Sequence, residues 1–186
     1  MPYALAIFDL DGTLANSFPW FLRTINDVAD RFGFRRVRDE DIEELRHASS
    51  REILARLEVP LWKLPAIARH ARRLKAEATA EISLFAGVEA MLRTLAEGDV
   101  QLALVTSDSE ANAREKLGEA AALFSHFDCA ASLFGKPAKF RRVVRCAGVE
   151  LSQVIAIGDE VRVAAGGTSA ARACARSGRI ASGRYR

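Results

Sequence analysis

The chain has 186 residues, 49% of them hydrophobic, and 27 Lys+Arg against 24 Asp+Glu, for a formal net charge of +3. That length and apolar share support one domain with a buried core carrying an insertion, and so even a charge balance makes no case for a nucleic-acid partner. Cys129, Cys146 and Cys174 are odd in number and lack C-x-x-C spacing, which argues against a disulfide framework or a zinc site and predicts reduced, buried thiols.

No basic region precedes a long apolar stretch, and no window reaches the roughly 18 to 20 apolar residues of a membrane span. Neither export nor a membrane anchor is expected, and the expected location is the cytoplasm.

The first element is Ala4-Leu5-Ala6-Ile7-Phe8-Asp9-Leu10-Asp11-Gly12-Thr13-Leu14, an apolar strand ending in two carboxylates and a glycine turn. In an open α/β sheet the carboxyl ends of the strands form the edge where ligands bind, so acids delivered there suggest phosphoryl chemistry. The helical spacing of Phe21, Ile25, Val28, Ala29 and Phe32 then predicts a helix over 18–32 stopped by Gly33. Asp39 opens a charged segment to His47, and Ser49-Ser50 with Glu52 and Ile53 starts a short helix reaching Leu57. Pro60 begins a longer helical stretch, restarted near Pro65 and running through Ala66 to about Ile82. Residues 15 to about 83 therefore read as wholly helical.

Alternation resumes after Phe85, with a helix over 88–96, a buried strand over 100–106, a helix over 110–117 and a short strand over 127–133. A helix over 138–147 closed by Gly148 follows, and Val154-Ile155-Ala156-Ile157-Gly158-Asp159 is another apolar strand ending on a carboxylate. Strands alternating with helices of about ten residues imply right-handed crossovers and a parallel sheet covered on both faces. The expected architecture is α/β, a Rossmann-like parallel sheet with an all-helical insertion after its first strand.

Three of these strands end on groups able to bind or attack a phosphate: Asp9 with Asp11, Thr106 with Ser107, and Asp159. Lys136, in Phe134-Gly135-Lys136-Pro137, is placed in the loop before a helix and can bring a compact positive charge to the same edge. It is preferred to Lys139 because it precedes the helix and follows Gly135. A carboxylate attacking a phosphate dianion meets like-charge repulsion, which a hard cation with oxygen ligands and a lysine offset. A nucleophile must be ionised where a general acid is protonated, so Asp9 and Asp11 need separated pKa values. Backbone N–H groups of the Asp11-Gly12-Thr13 turn can point at the phosphoryl group, and Gly12 allows close approach.

The Asp-x-Asp-Gly-Thr motif after an apolar strand, followed in order by Thr106, Lys136 and Asp159, resembles the haloacid dehalogenase superfamily, in its phosphoglycolate phosphatase and beta-phosphoglucomutase branch. The resemblance covers the chain to about Arg162. It implies that Asp9 is a nucleophile forming an aspartyl-phosphate and that Asp11 is the acid/base. It places Thr106, Lys136, the neighbouring Ser107 and Gly12 around the phosphoryl oxygens. Mg²⁺ would be held by Asp9, Asp159 and the backbone carbonyl of Asp11, with Glu160 as a further candidate. Residues 1–14 plus 84–186 would form the core and 15–83 a helical cap that selects the leaving group, hinged near Asn16-Ser17 and Ser83 to Ala86. The implied function is a Mg²⁺-dependent phosphatase of a small phosphorylated metabolite, a monomer or weak homodimer with no nucleic-acid or membrane partner. The same residues allow a phosphomutase.

The family's fourth motif usually carries a second acid where this chain has Val163, which weakens support for the metal unless Glu160 takes over. A relative that binds phosphate ligands or a partner without efficient turnover is therefore the alternative. Beyond Arg162 the chain has arginines, no acid and few large apolar residues, a composition that buries little; a changed reading frame or a truncation would account for it. The basic run Arg69-His70-Ala71-Arg72-Arg73-Leu74-Lys75 reads as a solvated helix face, and Trp20 and Trp62 read as the cap's own small core.

Overall fold

The structure is a computed structural model that describes residues 3–48, 50–130, 136–158 and 173–174, with backbone alone at His47, Lys136, Pro137, Ala173 and Cys174. Strands β1 (Leu5–Phe8), β2 (Gln101–Val105), β3 (Phe124–Asp128), β4 (Val154–Ile157) and β5 (Ala173–Cys174) form one sheet in the order β3-β2-β1-β4-β5. Every pairing is parallel. The central strand β1 sets Leu5 opposite Gln101 and Val154, and Phe8 opposite Leu104 and Ile157.

β1 shows no polar alternation because both of its faces are covered. Successive side chains alternate between those faces. Ala6, Phe8, Leu102 and Leu104 pack with Leu92 of α5 (Val88–Glu97) and Leu117 of α6 (Glu110–Leu117), while Leu5, Ile7, Ala103 and Val105 pack with Val143 of α7 (Lys136–Ala147).

Between β1 and α5 the chain is helical: α1 (Phe18–Phe32), α2 (Ile42–His47), α3 (Ser50–Arg56) and α4 (Leu64–Glu77), joined by short 3-10 turns. Gly33 ends α1 in the left-handed region at φ 66° and donates its N–H to the Ala29 carbonyl. Val37, Leu45, Leu57 and Val59 make a third, separate apolar cluster against Ile25 and Ile67. The two chain crossings into this segment lie side by side. Ala15 bridges Leu84 in antiparallel fashion, Asn16 N–H donates to Ser83 O at 2.9 Å, and Phe85 N–H donates to Leu14 O at 2.9 Å.

Some expectations change. β3 starts at Phe124 rather than 127, because Phe124 is buried edge-on against Phe8 and a 3-10 turn over Gly118–Leu123 delivers it there. The strand also ends earlier than expected, at Asp128, with Cys129 and Ala130 already outside it, while 131–133 of the expected strand lie outside the described residues. α7 begins at Lys136, so this lysine opens the helix instead of preceding it. Trp20 joins the main core beside the sheet, and Trp62 is 79% exposed on the turn Leu61–Lys63, so neither belongs to the small cluster of the helical segment. Cys146 is exposed on the outer side of α7, not buried, and Cys129 is half-buried; both are free. Asp159, Glu160 and Val163 lie outside the described residues, as does the arginine-rich tail apart from β5.

Candidate active site

Because β1 and β2 are parallel neighbours, the residues that follow them emerge at one edge. Asp9 is buried there; its N–H donates to Ile157 O at 3.0 Å, and its Oδ1 accepts the Leu10 N–H at 2.9 Å. The Leu10 carbonyl accepts from the N–H groups of Thr13, Leu14 and Ala15, which curls the chain back and leaves Gly12 at φ 72°. A side chain at such a φ is strained, so glycine suits that turn. Thr106 is wholly buried; its N–H donates to Asp128 O at 3.2 Å and its Oγ1 accepts the Asp108 N–H at 3.1 Å. The hydroxyl keeps its own proton to donate. Ser107 is half-buried beside it.

Two further charged residues complete the site, and the reading of the sequence missed both. The Nζ of Lys75, on α4, donates to Asp11 Oδ2 and to Asp108 Oδ2, the latter at 3.2 Å. Its ammonium also lies 5.7 Å from the centre of the Trp20 ring. Asp108 is 2% exposed, and its Oδ1 accepts from Ser109 N–H at 2.8 Å and from Asn112 Nδ2 at 2.9 Å. Asn112 in turn donates to the Arg72 carbonyl of α4, so the loop after β2 and the helical segment share one polar seam. Burial opposes the charge on Lys75, but Asp11 and Asp108 outweigh it and hold the ammonium above the ordinary lysine value. Asp11 Oδ1 and Thr13 Oγ1 stay buried without a hydrogen-bond partner.

Lys75 thus leaves the solvated face assigned to the basic run. The signal was its place four and eight residues after Ala71 and Ile67, on the inward stripe of α4. Asp108 repeats, at the end of β2, the two-residue offset that puts Asp11 after Asp9.

Lys139 has an established use elsewhere. It pairs with Asp128 and donates to the Cys129 carbonyl at 2.5 Å, with Arg142 Nε 2.9 Å from the same carboxylate. Burial, then Glu110, pushes the Cys129 thiol up to about 11, where it stays protonated. The Lys136 side chain lies outside the described residues, although its backbone falls at the start of α7. Among the described residues no group of three or more His, Cys, Asp or Glu side chains could hold a metal ion. The oxygen donors present, the buried Asp9 carboxylate and the backbone carbonyl of Asp11 two residues on, suit a hard divalent cation such as Mg²⁺, which leaves the unpartnered Asp11 Oδ1 free for a proton.

The chain is similar to known proteins in sequence and in fold. Residues 6–175 match the family described as haloacid dehalogenase-like hydrolase, so the likeness runs past Arg162, where it was expected to fade, and takes in β5. A phosphoglycolate phosphatase of Synechococcus elongatus is 28% identical over 158 residues, 84% of this chain and 74% of that protein. A phosphoglycolate phosphatase of Xanthomonas campestris is 34% identical over 110 residues, 56% of this chain and 48% of that protein, so this chain spans about half of it. The crystal structure of CbbY from Rhodobacter sphaeroides in complex with phosphate shares the fold at a TM-score of 0.64 and 21% identity, covering 86% of this chain and 79% of that one. This chain belongs to the haloacid dehalogenase-like hydrolase family.

Proposed function

We propose that the chain is a phosphatase that hydrolyses a small phosphorylated metabolite with Asp9 as nucleophile and Asp11 as acid/base. One observation carries the reading: adjacent parallel strands deliver Asp9 and Thr106 to one edge, where Asp11 keeps a buried carboxylate oxygen with no partner. Asp9 attacks phosphorus and forms an aspartyl-phosphate; Asp11 gives its proton to the departing oxygen, then takes one from the water that cleaves the acyl phosphate. The Thr106 hydroxyl and the N–H groups of the turn at Gly12 hold the phosphoryl oxygens, with Lys136 and Ser107 adding to them. Asp9, Asp159 and the backbone carbonyl of Asp11, with Glu160 as a further candidate, would hold Mg²⁺. When bound, that ion offsets the repulsion between carboxylate and phosphate.

Residues 15–83 serve as a cap over the core formed by 1–14 and 84–186, with Lys75 as its contact to the site. The names of the curated relatives favour phosphoglycolate or a similar small ester as substrate. Hydrolysis of p-nitrophenyl phosphate with and without Mg²⁺, repeated on Asp9→Asn, tests this. Turnover that needs both Mg²⁺ and Asp9 is expected, and turnover indifferent to Asp9 rejects the reading. A second reading, phosphate binding without efficient turnover, rests on Val163 standing where the fourth motif usually has an acid. Mg²⁺-dependent phosphate binding with no hydrolysis would select it.

A further inference from the structure

Asp108 follows β2, two residues past Thr106, and every polar group it has is engaged in a hydrogen bond. Its carbonyl accepts the Ala130 N–H at 2.6 Å, and its own N–H donates to Thr106 Oγ1 at 3.1 Å. Its Oδ1 accepts from Ser109 N–H at 2.8 Å and from Asn112 Nδ2 at 2.9 Å, and its Oδ2 accepts from Lys75 at 3.2 Å. The side chain is 0% exposed, so no part of it is left to meet a substrate. Ala130 holds a left-handed φ of 53° while making its bond, a conformation that alanine adopts only at a cost. The loops after β2 and β3 are thus stitched together at Asp108.

The negative charge is the part that needs a reason. Ser109 and Asn112 require only an acceptor, which a neutral amide supplies, and burying a carboxylate is costly unless a cation matches it. The matching cation is Lys75, whose ammonium is also the partner of Asp11 Oδ2. An ammonium has three donors, so with Asp11 as its sole carboxylate it would be free to bridge both oxygens. Asp108 draws it to one side, and Asp11 Oδ1 stays buried without a partner.

Resting on the phosphatase reading, we propose that Asp108 is a positioning residue for the reaction: by anchoring Lys75, it keeps Asp11 Oδ1 open to the ester oxygen. Lys75 and the Arg72 carbonyl, which takes the Asn112 amide at 3.0 Å, both belong to α4. The alignment therefore holds only while the helical segment rests on the loop after β2.

The experiment compares phenyl phosphate with p-nitrophenyl phosphate, two esters of similar shape. Phenolate leaves well only with a proton, whereas p-nitrophenolate leaves largely without one. The kcat/KM for the first therefore reports on the aligned acid, and for the second mainly on attack by Asp9. Asp108→Asn should lose at least about tenfold on phenyl phosphate and no more than about threefold on p-nitrophenyl phosphate, since a positioned acid contributes about 10² to 10⁴. Lys75→Met should show the same split, and Lys75→Arg should restore part of the phenyl phosphate rate. Lys75→Met/Asp108→Asn should be no worse on phenyl phosphate than Lys75→Met, because residues that act through one another do not add.

Equal loss on both esters marks a merely structural Asp108 and overturns the proposal, as do additive losses or no loss. Should Asp108→Asn fail to fold, the split in Lys75→Met and its persistence in the double variant decide. Wild-type hydrolysis of p-nitrophenyl phosphate but not of phenyl phosphate overturns this inference alone. Hydrolysis of neither ester rejects the phosphatase reading, and this inference with it.

Discussion

Around β1, Leu5, Ile7, Phe8, Leu10 and Leu14 are shut off from water almost completely, whereas the helical segment between Phe18 and Glu81 closes a separate cluster of only Val37, Leu45, Leu57 and Val59. The two regions place their polar groups differently. Asp9 and Thr106 are fixed by strand register and by backbone hydrogen bonds to β4 and β3. Lys75 reaches the site on a long side chain whose position depends on the helix beneath it and on two carboxylates. Chemistry on the sheet should therefore survive changes in the helical segment better than the reverse.

The largest expected effect is on the sheet side. Asp9→Asn keeps the shape and the Leu10 contact but removes the attacking charge, and p-nitrophenyl phosphate turnover should fall at least about a thousandfold. Melting temperature should move by only a few degrees. A modest drop would mean that the edge of β1 is not where the reaction happens. Trp20→Ala comes next. Trp20 sits on α1 but packs into the core with Phe8, Leu14 and Ile82, so removal should cost about 3 to 5 kcal/mol in urea unfolding. A cost under about 1 kcal/mol would show that the helical segment stands free of the sheet.

The sheet was legible in the sequence because burial on both faces leaves apolar runs, and Ala4–Phe8, Val100–Val105 and Val154–Ile157 are of that kind. Gly33 marked the end of α1 for an equally local reason, its left-handed φ. Phe124 escaped because the preceding Ala120-Ala121-Ala122 carries no strand pattern, and only its edge-on packing against Phe8 draws it into β3. At the site, Asp9, Asp11 and Thr106 could be read from position alone, each being at or just past a strand end. Lys75 and Asp108 left only the fainter signals of an inward helix stripe and a repeated offset. Their significance comes from a contact between residues 33 apart, made only when α4 folds over the β2 loop. Trp62 misled because size and hydrophobicity do not say which side of a short turn faces out.

Lys75→Met probes the seam between the two regions. Removing the ammonium leaves Asp11 and the fully buried Asp108 facing each other uncompensated, which costs several kcal/mol in comparable buried pairs. The Asp11 side chain is partly open to water, which relieves some of that repulsion, so about 2 to 3 kcal/mol is expected in urea unfolding. Adding Asp108→Asn should return at least half of the loss, since the amide keeps an acceptor for Ser109 and Asn112 without the charge. No recovery would mean that Lys75 acts through packing against Trp20 rather than through its charge.

The smallest effect belongs to the other tryptophan. Trp62 is 79% exposed, and among the described residues its ring is met by the Lys63 ammonium 5.0 Å from the ring centre. An exposed cation–π pair contributes about 0.5 kcal/mol, and truncating a solvated ring loses little burial, so Trp62→Ala should change stability by no more than about 0.5 kcal/mol. Urea unfolding of Trp62→Ala beside Trp20→Ala measures the contrast directly, two indoles of the same helical segment with opposite burial. A cost above about 1.5 kcal/mol at Trp62 would require the ring to be covered in solution. Repeating the titration over a tenfold range of protein concentration then separates the causes: a cost that grows with concentration places a second copy on Leu61 and Trp62, and one that does not requires the turn to fold back onto its own chain.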